Sequence, residues 1–215
     1  MKISHHFDDA TLVAYSSGTL TKGMALLVES HIGMCEQCME QIQTSNRIGG
    51  DLLQSIRPVA MESGCLDRFL AMLDGVEMDE VMPLEASRKS EVPESLAAVI
   101  GDDLDALEWK SMGLGVQQYD LKLGGVGATR LLRIQPGVSV PHHTHTGNEL
   151  TLILRGSYSD EIGRFQVGDV ADLDDQLEHQ PIVDTDQECI CLIATDAPLK
   201  FSGLMGKLVQ PFIGL

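Results

Sequence analysis

Residues 137–156 read GVSVPHHTHTGNELTLILRG. His143 and His145 stand two apart, and on a strand such residues point to the same face. Glu149 follows past Gly147-Asn148 and can swing to that side. The run Leu150 to Leu154 then reads as a strand closed by Arg155-Gly156. His179 can reach the same place from another strand. Three imidazoles and one carboxylate make a metal pocket whose donors suit Zn, Mn, Fe or Ni without choosing among them. The plainer alternative is a barrel that keeps these side chains as polar packing. His142 points to the opposite face and reads as a surface or packing histidine.

The same grammar extends outward. After about Ile100, short apolar runs alternate with glycine turns: Arg130 to Ile134 before Pro136-Gly137, then Ile190 to Ile193, then Lys207 to Phe212. Many short strands at regular spacing predict an all-β sandwich or barrel. With Gly137, His143, His145, Glu149 and Gly156 in place, the segment resembles the first cupin motif at every defined position. The second motif is partly kept in Gly168 and His179. Asp174, Gln176 and Val183 depart from its turn. The resemblance implies a double-stranded β-sandwich barrel that binds zinc or another divalent transition metal through His143, His145, Glu149 and His179.

Upstream, the pattern is helical. Asp8 or Asp9 can cap a helix through Leu12, Val13 and Tyr15 that stops near Gly18. Thr21 can cap a second, with Met24, Leu27, Val28, His31 and Ile32 at helical spacing and Gly33 at its end. A third is expected from near Glu36 to Gly49-Gly50. A fourth is expected from Ser63, with Leu66, Phe69, Leu70 and Leu73, closed by Gly75. Acidic residues, Pro83 and Pro93 then mark a stretch of weak periodicity. The expected fold class is α+β in two domains: a helical domain over 1–85, an acidic linker over 86–100 and a barrel over 101–215.

His31-x3-Cys35-x2-Cys38 falls at a helix end and the start of the next. Residues four apart share a helix face, so His31 and Cys35 converge, and the Cys-x-x-Cys turn brings a second thiolate. Two thiolates and an imidazole are three ligands of a tetrahedral zinc site. His5 and His6 both precede the first helix as candidates for the fourth. Zinc binding can supply much of the folding free energy of so small a module, ~10 kcal/mol or more. Ordinary helix-face cysteines are the plain alternative. A thioredoxin-like redox pair is weaker, since no βαβ pattern surrounds it.

His31, Cys35 and Cys38, with His5-His6, Leu12-Val13-Ala14-Tyr15 and Gly18-Thr19-Leu20, resemble the zinc-binding anti-sigma domain. The whole chain resembles the ChrR type, in which that domain is fused to a cupin. The resemblance implies His6, His31, Cys35 and Cys38 as zinc ligands, with His5 as the alternative to His6. It also implies a group IV (extracytoplasmic-function) sigma factor as partner, and release on an oxidative signal such as singlet oxygen or organic hydroperoxides.

Charge and cysteine usage fit a protein partner. The formal net charge of −17 repels nucleic acid and anionic membranes and attracts a basic protein. No apolar run reaches ~18 residues, and the N-terminus lacks the apolar stretch of a signal peptide, so the cytoplasm is expected. Five cysteines, two of them in Cys35-x-x-Cys38, suit a reducing compartment. Cys189 and Cys191 share one face of a strand, where packing is favoured over a sensing role. Cys65 reads as packing. The rival function is a cupin dioxygenase or isomerase with an accessory zinc module, but no clear substrate-binding set is present. A non-enzymatic regulator is therefore expected.

Overall fold

The computed structural model describes residues 2–73, 90–140, 147–173 and 179–197, and the backbone of 143–144 and 200–201. Residues Met1 to Asn46 and Ser90 to Leu215 form one compact unit, and Arg47 to Lys89 a second. The helices within residues 9–32 fall in the same unit as the barrel strands.

Helix α1 (Asp9–Ser16) is capped by Asp8, whose carboxylate accepts the Thr11 N–H at 2.7 Å. Helix α2 (Lys22–Ile32) is capped by Thr21, whose hydroxyl accepts the Met24 N–H at 3.4 Å. Gly23, Met24, Leu26, Leu27, Val28, Ser30, His31 and Ile32 of α2 are all buried. A helix covered nearly all round needs partners on more than one side. One of them is the barrel. A Cβ on Gly23 would lie 1.8 Å from the Thr129 hydroxyl, so only glycine allows this approach.

Helix α3 (Glu36–Ser55) runs through Gly49-Gly50, where the sequence predicted its end. Neither glycine takes the left-handed backbone that closes a helix. Helix α4 (Cys65–Leu73) begins two residues after Ser63, and Gly75 lies outside the described residues. Helix α5 (Glu94–Ile100) occupies part of the stretch assigned to the linker. Its Leu96 is fully buried, and the Ser95 hydroxyl meets that of Ser30 on α2 at 3.1 Å. Burial of Val92 and Leu96 is what the acidic composition concealed.

The β part contains β1 (Lys110–Gly113), β2 (Val116–Asp120), β3 (Ala128–Ile134), β4 (His143–Thr144), β5 (Glu149–Arg155), β6 (Ser157–Ser159), β7 (Arg164–Gln166), β8 (Val170–Leu173), β9 (Ile182–Val183), β10 (Cys189–Thr195) and β11 (Lys200–Phe201). An antiparallel sheet runs β1-β2-β3-β10-β5-β8, beside smaller sheets β7-β6-β9 and β11-β4. The run Lys207 to Phe212 lies outside the described residues.

Strands β5 and β10 of the large sheet are buried on both faces, which explains why they read as unbroken apolar runs. On one face Leu131, Leu150, Leu152, Leu154, Ile190 and Leu192 join the helix core with Leu12, Leu27 and Val28. On the other, Ile153, Cys189 and Cys191 join Tyr158, Phe165 and Val183 in the barrel core. Arg133 and Arg155 anchor residues 90–107 to the sheet. Arg155 binds Glu91, Asp105 and Glu188, while Arg133 binds Asp105 and Glu188 and lies over the Trp109 ring.

Candidate metal centres

Among the described residues, one group has the geometry of a metal site: His6, His31, Cys35 and Cys38, with ligand atoms all within 4.8 Å of one another. His31 closes α2, Cys35 occupies the turn, and Cys38 enters α3. The His6 Nδ1 lies 3.3 Å from the Cys35 Sγ and 3.6 Å from the Cys38 Sγ, and the His31 Nε2 lies 3.3 Å from the Cys38 Sγ. Zn–S and Zn–N bonds in a tetrahedron place their donor atoms roughly 3.3–3.8 Å apart. The donors present fit such an ion.

Electrostatics point the same way. Burial, with the neighbouring Cys35 thiol, pushes the Cys38 thiol up to about 12. A cation bound at the sulfur would oppose that shift and favour the thiolate. Burial lowers His31 to about 4, aided by nearby His6, so its ring is neutral and able to coordinate. The His31 Nδ1 lies 2.9 Å from the Gly168 carbonyl oxygen. A carbonyl only accepts, so Nδ1 carries the proton and Nε2 turns its lone pair to the thiols.

His5 takes a different place. Its ring stacks obliquely on Phe165 at 4.3 Å, and its Nδ1 lies 3.3 Å from the Asp169 carboxylate. The structure thus brings His6, and not His5, to the thiols. Asp169, which sequence reasoning missed, also accepts the backbone N–H groups of Ser4 at 2.7 Å and His5 at 3.1 Å. Gly168 was visible as a motif glycine. Its φ of 89° requires that residue, but the role of its carbonyl was not foreseeable.

The second set is placed in part. Glu149 opens β5 and His179 precedes β9, and both are buried. Burial raises Glu149 to about 7, and the nearby His179 works against that shift. The backbone of His143 lies in β4, paired with Phe201. Its side chain, and all of His142 and His145, lie outside the described residues, as do Asp174 and Gln176. Cys189 and Cys191 face the barrel core, Cys191 opposite Ile153 of β5. Their mutual hydrogen bond and burial push the Cys191 thiol well up.

Residues 98–198 match the ChrR Cupin-like domain family. The anti-sigma-E factor ChrR of Cereibacter sphaeroides is 41% identical over 212 residues, covering 99% of both chains. The chain belongs to the ChrR family of anti-sigma factors. The crystal structure of Rhodobacter sphaeroides SigE in complex with the anti-sigma ChrR also matches, with a TM-score of 0.79 and 38% identity over 91% of this chain and 100% of that chain. That relative is an anti-sigma factor, a regulatory protein rather than an enzyme. No helix among the described residues is long and apolar enough to cross a membrane.

Proposed function

We propose that this protein sequesters a group IV sigma factor in the cytoplasm and releases it on an oxidative signal such as singlet oxygen. Zinc at His6, His31, Cys35 and Cys38 organises the helical part. The barrel, with zinc or another divalent transition metal at His143, His145, Glu149 and His179, is the sensor. Near-complete alignment with an anti-sigma-E factor is the observation that carries this reading.

The exposed surface of the second unit supports it. Ile48, Leu52, Leu53 and Ile56 on and just beyond α3 are exposed, as are Leu66, Phe69, Leu70, Met72 and Leu73 on α4. No residue of α4 is buried. An amphipathic helix with its apolar face in water suits a partner protein that covers it. A sigma factor fits by charge as well, since its DNA-binding surfaces are basic and this chain carries −17.

The test is copurification from cells expressing this chain with its sigma factor, comparing wild type with Phe69→Asp and Leu70→Asp. Both residues are exposed, so folding and zinc content should be unchanged. Each substitution should weaken sigma binding by at least ~30-fold, the scale of an interface hot spot. Full binding by both variants would remove α4 from the interface, and absence of any sigma factor with wild type would refute the reading.

A further inference from the structure

Both imidazoles of the thiol cluster are held by one turn of the barrel. That turn, residues 167–169, joins β7 to β8 and lies far in sequence from the ligands. The Gly168 carbonyl accepts the His31 Nδ1 proton at 2.9 Å. Next to it, the Asp169 side chain is fully buried. One of its oxygens accepts the N–H groups of Ser4 and His5, the residues leading into His6. The other accepts the Gln166 N–H at 3.0 Å and the Ser4 hydroxyl at 3.2 Å. The His5 carbonyl completes the strap by accepting the Val170 N–H at 3.3 Å.

We propose that the Gly168-Asp169 turn is a positioning element for the N-terminal metal cluster, holding His6 through the Ser4-His5 strap and His31 through its Nδ1 proton. This rests on the reading of the cluster as a metal site. Outer hydrogen bonds fix the tautomer and aim of a metal-bound histidine, and their loss typically lowers metal affinity 10–100-fold. Here those partners lie in a different part of the chain from the ligands. The metal affinity of the helical part therefore depends on the barrel.

The turn is also wired inward. The Gly168 N–H donates to the Ile153 carbonyl at 2.9 Å, and the Ile153 N–H donates to the Asp169 carbonyl at 3.1 Å. Ile153 lies on β5, four residues after Glu149, and opposite Cys191 of β10. Two backbone hydrogen bonds through Ile153 thus tie β5 to the turn that holds the imidazole ligands.

Asp169 acts through other groups, so the test must read the metal geometry itself. Full-length protein would be titrated with Co²⁺, following the thiolate-to-cobalt absorption that reports coordination by Cys35 and Cys38. Asp169→Ala should weaken Co²⁺ binding 10–100-fold. Asp169→Asn, which keeps an acceptor oxygen for the Ser4 and His5 N–H groups, should recover most of the loss. Ser4→Pro removes the backbone N–H and hydroxyl donors of Ser4 without altering a barrel residue and should weaken binding in the same direction. Asp184→Ala breaks another carboxylate cluster of the barrel, with Ser157, Ser159 and Arg164, and should leave Co²⁺ binding unchanged. Wild-type affinity and bands in both Asp169→Ala and Ser4→Pro would overturn the proposal. So would an equal loss in Asp184→Ala, which would mark general destabilisation. Absence of any thiolate band in wild type would instead sink the metal reading on which the proposal rests.

Discussion

The Asp160 carboxylate holds the Nδ1 of His179 at 3.0 Å, with the two side chains only 0% and 3% exposed. Its other oxygen accepts the N–H groups of Ile162 at 2.9 Å and Gly163 at 3.1 Å, so the carboxylate cannot turn away. Burial works against its ionisation, but these hydrogen bonds and His179 keep its pKa below the usual range. An ionised Asp160 places the imidazole proton on Nδ1, the orientation that in carboxylate–histidine–metal arrangements directs Nε2 to the ion.

Asp160→Ala should therefore lower the barrel's metal affinity by roughly 10–100-fold while His179 itself is intact. Metal content per chain after equilibration at limiting free metal checks this. The N-terminal metal should stay, since Asp160 makes none of the contacts around Cys35 and Cys38. Equal metal content in variant and wild type would exclude Asp160 as a supporting residue.

Cys35→Ser or Cys38→Ser should lose the N-terminal metal and sigma binding together. The two thiols are buried and face one another and His6, and without the ion the end of α2 and the start of α3 lose their common anchor. Metal analysis and a sigma pull-down on the same preparation give the comparison. Full zinc and full binding in either variant would contradict it.

Glu149→Ala or His179→Ala should leave basal sigma inhibition intact and blunt induction by the oxidant. Both side chains are buried, and neither belongs to the exposed apolar set of residues 48–73. Oxidation of a ligand or of Cys189 or Cys191 is the chemistry by which a signal would act there. A reporter for sigma activity, with and without singlet oxygen, separates the two effects. Loss of basal inhibition would contradict the division of labour, and so would a normal oxidant response in a variant shown to lack the barrel metal.

A fragment ending near Glu85 should still silence the sigma factor without responding to the signal. It should also be less stable than the whole chain. Leu27 and Val28 of α2 sit in the core shared with Leu131, Leu152 and Leu192 of the sheet, and exposing such a side chain costs ~1.5–3 kcal/mol. Chelation should therefore unfold the fragment more readily than the full-length protein, as followed by circular dichroism. Failure of the fragment to bind sigma would show that the barrel forms part of the binding surface.

Local rules carried the sequence a long way. Asp8 and Thr21 cap helices because a short side-chain oxygen satisfies an orphan N–H three residues on, a relation contained within one turn of chain. His31, Cys35 and Cys38 converge because helix periodicity brings close spacings to one face. The strands at Leu150 and Ile190 were visible as apolar runs, although burial on both faces erased the alternation that would have told inside from outside. What no local rule contains is the partner that arrives from far along the chain. The choice of His6 over His5 depends on Asp169, more than a hundred residues away, capturing His5 and the backbone before it. Burial of α5 under an acidic composition depends on α2 already lying on the sheet. The Gly49-Gly50 pair continues α3 because a glycine permits a stop without compelling one. Hydrogen bonds within a few residues follow from spacing alone. Those that close across the fold follow only from which surfaces the packed chain brings together.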